Sequence, residues 1–174
     1  ATVILDGLQD KHWELGSSQQ AMLYLLKSLY QDKQQSPKSR LLRKRAYDAN
    51  PDNPDVQFWL GMDYFWLNQP TKALVLWDAC FHIRSACASG YTFTSEELGL
   101  SSDLKDKLDY LPSYHPLKES LFEYLDSPET SVLRDFWTSE PFYEVAGEEY
   151  DLVKEFYIKN IYEVRDKETD VVDL

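Results

Sequence analysis

The 174-residue chain has only three histidines and two cysteines, and no apolar run approaches the roughly 20 residues that span a bilayer. His12, His82 and His115 are scattered and have no ligand-spaced partners, so no metal centre and no cofactor are expected. The chain has no phosphate loop and no GxSxG, HExxH or CxxC motif, and these absences argue against the common enzyme classes. Basic residues are in deficit, with 18 Lys and Arg against 30 Asp and Glu, for a net charge of −12. A nucleic-acid backbone calls for clustered cations, so a nucleic-acid partner is not expected. The opening run Thr2-Val3-Ile4-Leu5 is too short for a targeting core, and no basic-then-apolar signal pattern is read in the opening residues. Cys80 and Cys87, placed on one helix, would stand about 10 Å apart along its axis. That is too far for a disulfide, so free thiols and a reducing, cytoplasmic setting are expected.

What the chain does have is apolar and aromatic bulk. Hydrophobic residues make up 43 % and aromatics 14 %, with twelve Tyr, eight Phe and five Trp. This is enough for one folded domain with a real core, and some rings are left over for a binding face.

Apolar spacing predicts about eight helices and little or no sheet. A helix starts at Ser17-Ser18, with Leu23, Leu26 and Tyr30 on one stripe, and Gln34-Gln35-Ser36-Pro37 breaks it. A second helix carries Leu41, Leu42, Ala46 and Tyr47 and opens with Ser36 as cap and Pro37 at the first position. Asn50-Pro51-Asp52-Asn53-Pro54 stops and restarts the chain. A third helix covers about 55–67, and Asn68 ends it in the left-handed conformation. Pro70 opens a fourth, expected to run through Ala73, Trp77 and Cys80 to about Ala88, with Gly90 as its stop. Thr94 to Glu97 reads as a short capped turn. Further helices are expected from Ser102-Asp103 to Pro112, from His115-Pro116 through Leu125, and from Ser127-Pro128 through Trp137. A last helix over about 148–166 carries a Glu155–Lys159 pair, and a polar tail, 167–174, frays.

Two windows of 34 residues, 20–53 and 54–87, repeat these features: Leu26 aligns with Leu60, Tyr30 with Tyr64 and Ala46 with Cys80. In the second window Leu60, Gly61, Tyr64, Ala73, Trp77 and Cys80 fill the places where tetratricopeptide repeats have Leu, Gly, Tyr, Ala, Phe and Ala. The chain resembles that family over these 68 residues. The first window is degenerate, with Lys27 at the Gly position and Arg43 at the large ring, and other helical-hairpin arrays fit the same spacing. The resemblance implies an all-α single domain of stacked, TPR-like helical hairpins over 20–87, with capping helices over 88–166. Function is then expected to be protein–protein interaction, as an adaptor or scaffold and not as an enzyme. By the family pattern the first helix of each hairpin lines a concave groove. In the second repeat the groove residues are Asp55, Phe58, Met62, Phe65 and Trp66; in the first they are Ala21, Tyr24, Ser28, Gln31 and Asp32. Tyr24, Asp55, Phe58, Met62, Phe65 and Trp66 are the expected partner contacts. Such a groove suits an amphipathic helix or extended apolar peptide, unless a C-terminal helix folds back over it.

Charge patterning supplies the rival reading. Lys38, Arg40, Arg43, Lys44 and Arg45 crowd the second helix, while residues 140–174 hold eleven acids and four bases, a net of −7. An acidic inhibitor or immunity-type protein that neutralises a basic toxin or enzyme would have this balance.

Overall fold

A computed structural model of the protein describes residues 15–33, 38–128, 134, 137 and 138. The fold is all-α: seven α-helices and one 3-10 turn occur among the described residues, and no strand. The chain divides into two compact units, with a boundary after Val56.

In the first unit, α1 (Ser17–Lys33) pairs with α2 (Ser39–Ala49) as a helical hairpin. Of the expected stripe on α1, Leu23 and Leu26 are buried, together with Ala21, Leu25 and Leu29, while Tyr30 is half-buried; on α2 Ala46 is buried, Leu42 and Tyr47 are half-buried and Leu41 is exposed. Asn50 leaves the helix in an extended conformation and donates from Nδ2 to Ser18 Oγ at 3.0 Å, so the end of α2 is tied to the start of α1. Asn53 then accepts the N–H groups of Asp55 (2.9 Å) and Val56 (3.1 Å) on its side-chain oxygen, capping α3 (Pro54–Trp66), whose first residue is Pro54. The Asn-Pro-Asp-Asn-Pro stretch therefore stops one helix and starts the next, as its composition predicts. Ser36-Pro37 lies outside the described residues.

In the second unit α3 turns into α4 (Pro70–Cys80) through Asn68, whose φ of 56° is the left-handed value expected of it. Gln69 N–H reaches back to Tyr64 O at 2.9 Å, closing the helix end. The expectation of one helix from Pro70 to Ala88 is wrong. Helix α4 ends at Cys80, the chain turns through Phe81, His82 and Ile83, and α5 (Ser85–Glu97) begins after an extended Arg84. No Gly or Pro marks this break. Phe81 is wholly buried, in a cluster with Ala88, Leu108, Leu111 and Leu121. Tertiary packing overrides local helix preference here.

The break brings the cysteines together. Cys80 and Cys87 flank the turn with Cα atoms 5.8 Å apart and form a disulfide. The cysteines are therefore not the free thiols expected of an unbroken helix, and they no longer point to a reducing compartment.

Gly90, expected as a stop, sits in mid-helix. A Cβ there would lie 2.9 Å from Trp77 Cε3. The stop is Gly99 (φ +68°), with Leu100 N–H bonded to Ser95 O at 2.8 Å; the expected capped turn at 94–97 is the last turn of α5.

After the 3-10 turn Ser101–Asp103 come α6 (Leu104–Asp109) and α7 (Lys118–Asp126). Lys118 Nζ donates to Asp109 O (2.9 Å) and Leu111 O (2.7 Å), closing the α6 end. Arg134, Trp137 and Thr138 are helical, within the helix expected after Ser127-Pro128. The N-terminal segment before Leu15, the expected helix at 148–166 and the tail lie outside the described residues. No helix among the described residues is long and apolar enough to cross a membrane.

Candidate protein-interaction surface

Trp77 organises the second unit. Its indole is fully buried and donates from Nε1 to Phe58 O at 3.2 Å. A Cβ on Gly61 of α3 would lie 2.3 Å from that same Nε1, and one on Gly90 of α5 would strike the six-membered ring. Only glycine lets α3 and α5 reach the indole, so a single ring holds three helices together.

Around it the rings continue. Phe58 stacks on Trp77 at 6.5 Å between centroids and carries the Arg84 guanidinium 4.5 Å above its face. Phe65 meets Trp77 at 5.9 Å, Phe93 at 6.1 Å and Trp137 at 5.5 Å. Trp137 also lies 5.3 Å from Trp77 and is stacked on Phe93 at 5.9 Å. Phe65 meets Phe93 and Trp137 edge to face, and Phe58–Trp77 and Phe93–Trp137 are stacked, geometries that aromatic quadrupoles favour; the Trp77 contacts with Phe65 and Trp137 are tilted. Trp137 Nε1 donates to Ser89 Oγ at 2.9 Å, and Arg134 pairs with Glu97 at 2.6 Å.

The six sequence-predicted contacts separate. Tyr24 and Asp55 belong to the first unit, and both are half-buried. Phe58 and Met62 are each 4 % exposed, so they support the core rather than offer a surface. Phe65 is half-buried beneath Trp137. Trp66 is 42 % exposed, edge-on to Phe65, with Leu67 exposed beside it. Of the first-repeat groove positions, Ala21 and Ser28 are buried, and Ser28 Oγ donates to Leu25 O at 2.7 Å. Gln31 is half-buried, and the side chain of Asp32 is not described. Sequence reasoning missed Ser89, Phe93, Glu97, Arg134 and Trp137 as one constellation. Spacing alone put Trp137 on a helix, and the signal to read was Arg134 and Trp137 one turn apart.

The basic run is split as well. Lys38, Arg40, Lys44 and Arg45 are exposed, with Lys44 3.6 Å from Asp48, while Arg43 is turned inward, its guanidinium 3.4 Å from Ser39 Oγ. Near α6 and α7 the cations are engaged. Lys105 pairs with Asp126 at 3.0 Å, and Lys107 pairs with Asp78 and lies over the Phe81 and Tyr91 rings. Lys118 caps α6. Asp103, Asp106, Asp109, Glu119 and Glu123 are exposed around them. A cleft of about 480 Å³ lies here, lined by Ser113, Lys118, Glu119, Phe122 and Glu123.

Two titrating groups are displaced. Burial, and then the negative charge of Glu96, push the Tyr124 hydroxyl well above its ordinary value; it donates to Glu96 Oε2 at 3.1 Å. Burial, then the neighbouring His82 and Lys118, lower His115, whose Nδ1 accepts the Leu117 N–H at 3.3 Å. His82 itself is exposed with its ring edge-on to Phe81, and Asp78, one turn before it, pairs with Lys107. No group of three or more His, Cys, Asp or Glu among the described residues could hold a metal ion.

The fold and the ring cluster define a helical-hairpin protein of packed adjacent helices. No protein-family model matches the chain, and no curated protein or solved structure is significantly similar to it.

Proposed function

We propose that the chain is a protein-interaction module, an adaptor or assembly scaffold of tetratricopeptide-like hairpins that takes a peptide or helix on the aromatic face of α3, α4 and α5. One observation carries this reading: that face already seats a helical tryptophan, Trp137, with rings, a hydrogen bond and a rim ion pair all complementary to it. This is how amphipathic helices are held in grooves. The approach of α3 to α4 through Gly61 and Trp77 supports the repeat likeness. Trp66 is the exposed edge of the same ring system. The test is affinity capture from the source lysate by the full chain and by Trp66→Ala, at low and high salt. A partner kept at high salt and lost with Trp66→Ala supports the proposal. A partner indifferent to Trp66, or none, counts against it.

A second reading, an acidic inhibitor of a basic protein, draws on the α6–α7 region, where the lysines are engaged within the unit and the carboxylates face solvent. It predicts a basic partner released by high salt. In either case the buried Cys80–Cys87 bond favours a compartment that permits disulfides over the cytoplasm.

A further inference from the structure

We infer that the face formed by Phe65, Trp77, Ser89, Phe93 and Glu97 is a helix-binding groove occupied in the free chain by its own Arg134-x-x-Trp137 turn, and that the partner is a helix with a basic residue three positions before a tryptophan, which displaces that turn. The inference rests on the protein-binding reading above and names the partner's chemistry.

The contact has the anatomy of a recognition site. Trp137 is 4 % exposed and meets three rings from three helices, while its one polar atom finds Ser89 Oγ. An anchor of this kind carries most of the energy in helix-groove complexes. Arg134 and Glu97 sit at the rim, with side chains 29 % and 42 % exposed, where an ion pair sets orientation more than strength. Thr138 Oγ1 donates to Arg134 O at 2.8 Å, a side-chain bond to the carbonyl one turn earlier, and residues 134, 137 and 138, all helical, share one face. Trp137 and the half-exposed Arg134–Glu97 pair are the anchor and the rim of this contact. Its advantage over a free ligand is the tether, which gives an effective concentration on the order of millimolar. A partner helix offering the same pair plus further anchors, Trp66 being the exposed ring beside the groove, has the means to exchange with it.

The experiment uses the full chain and a fluorescent peptide of residues 130–141. The peptide should bind the Trp137→Ala chain at least tenfold more tightly than the wild-type chain, where the tethered turn competes. The same peptide with Trp137→Ala should not bind. In a chain carrying Trp137→Ala and Glu97→Arg the preference should reverse, so that an Arg134→Glu peptide binds better than the wild-type peptide. A merely structural role for Trp137 would not give this exchange of charge preference. If Trp137→Ala fails to fold, Glu97→Arg with Trp137 retained provides the readout: it should take up the Arg134→Glu peptide several-fold better than wild type does. No peptide uptake by a folded variant, or equal uptake by wild type and variant, overturns the inference. Dimerisation of the Trp137→Ala chain does so too, by making a second copy the occupant. A lysate partner still lost with Trp66→Ala would leave the wider reading standing while this one falls.

Discussion

Gly61→Ala is the sharpest probe of the packing around Trp77. The new methyl would sit 2.3 Å from Nε1 and 2.8 Å from Cδ1 and Cε2, where ordinary contact begins near 3.4 Å. The indole would have to retreat by about 1 Å, and Gly90 of α5 already lies against its six-membered ring. Overpacking of a tight core costs about 1–3 kcal/mol. Retreat also lengthens the Trp77–Phe58 hydrogen bond, 3.2 Å at present, with a net loss of about 1 kcal/mol. Alanine returns about 1 kcal/mol of helix propensity. The net is a destabilisation of about 1–3 kcal/mol, or a fall in Tm of roughly 3–10 °C for a chain of this size. Thermal melts followed by circular dichroism would measure it. Trp77→Phe removes the pyrrole edge that the methyl strikes, so the double variant should be more stable than the sum of its singles by about 1 kcal/mol or more. A Gly61→Ala protein that melts at or above wild type, or strict additivity in the cycle, would refute the close approach of α3 to Trp77.

Three other outcomes follow from the geometry. Reducing the Cys80–Cys87 bond, or replacing both cysteines with serine, reopens a loop spanning seven residues; chain entropy sets the loss at about 2–3 kcal/mol, read from melts with and without reductant, while native thiol labelling of the untreated chain stays negative. His115 is held neutral, so its contribution is complete above its ordinary value of 6.5 and declines as pH falls below it; His115→Gln should flatten that acid limb in denaturant titrations. Tyr124 keeps its proton where an unfolded tyrosine loses it, so stability falls as pH rises above 10, and Tyr124→Phe should leave the tyrosinate absorbance gained up to about pH 11 unchanged.

The sequence announced those parts of the fold whose causes are local. The stop and restart at Asn50–Pro54, Pro70 opening a helix and Asn68 in the left-handed region act within a few residues of themselves, and each lies where its chemistry demands; the structure adds that Asn53 is the cap and Pro54 the first helical residue. Gly61 and Trp77 were legible as a small and a large position in the spacing, but their contact with each other was not. The break after Cys80 was not, because what ends the helix is burial of Phe81 against residues up to 40 positions away. Gly90 misled for the same reason: its cause is the Trp77 ring, not a turn. In the candidate site, helix period put Phe58, Met62, Phe65 and Trp66 on one element but could not rank their exposure. That ranking depends on Arg84 over Phe58 and Trp137 over Phe65.

The unpredicted break is also what assembles the aromatic cluster around Trp137. Had α4 continued to Ala88, residues 85–97 would have extended away along its axis at 1.5 Å per residue. Ser89, Phe93 and Glu97 could not then lie beside Phe65 and Trp77. Turning at Phe81 folds α5 back along α4, and residues 89, 93 and 97, spaced by four, line up on the face that receives Trp137. The disulfide spans that same turn, joining the last residue of α4 to the first turn of α5. It therefore fixes the angle on which the aromatic surface depends. Reduction should loosen the hold on Trp137 as well as lower the melting temperature. A reduced, still-folded chain whose tryptophan fluorescence is unchanged would separate the staple from the site.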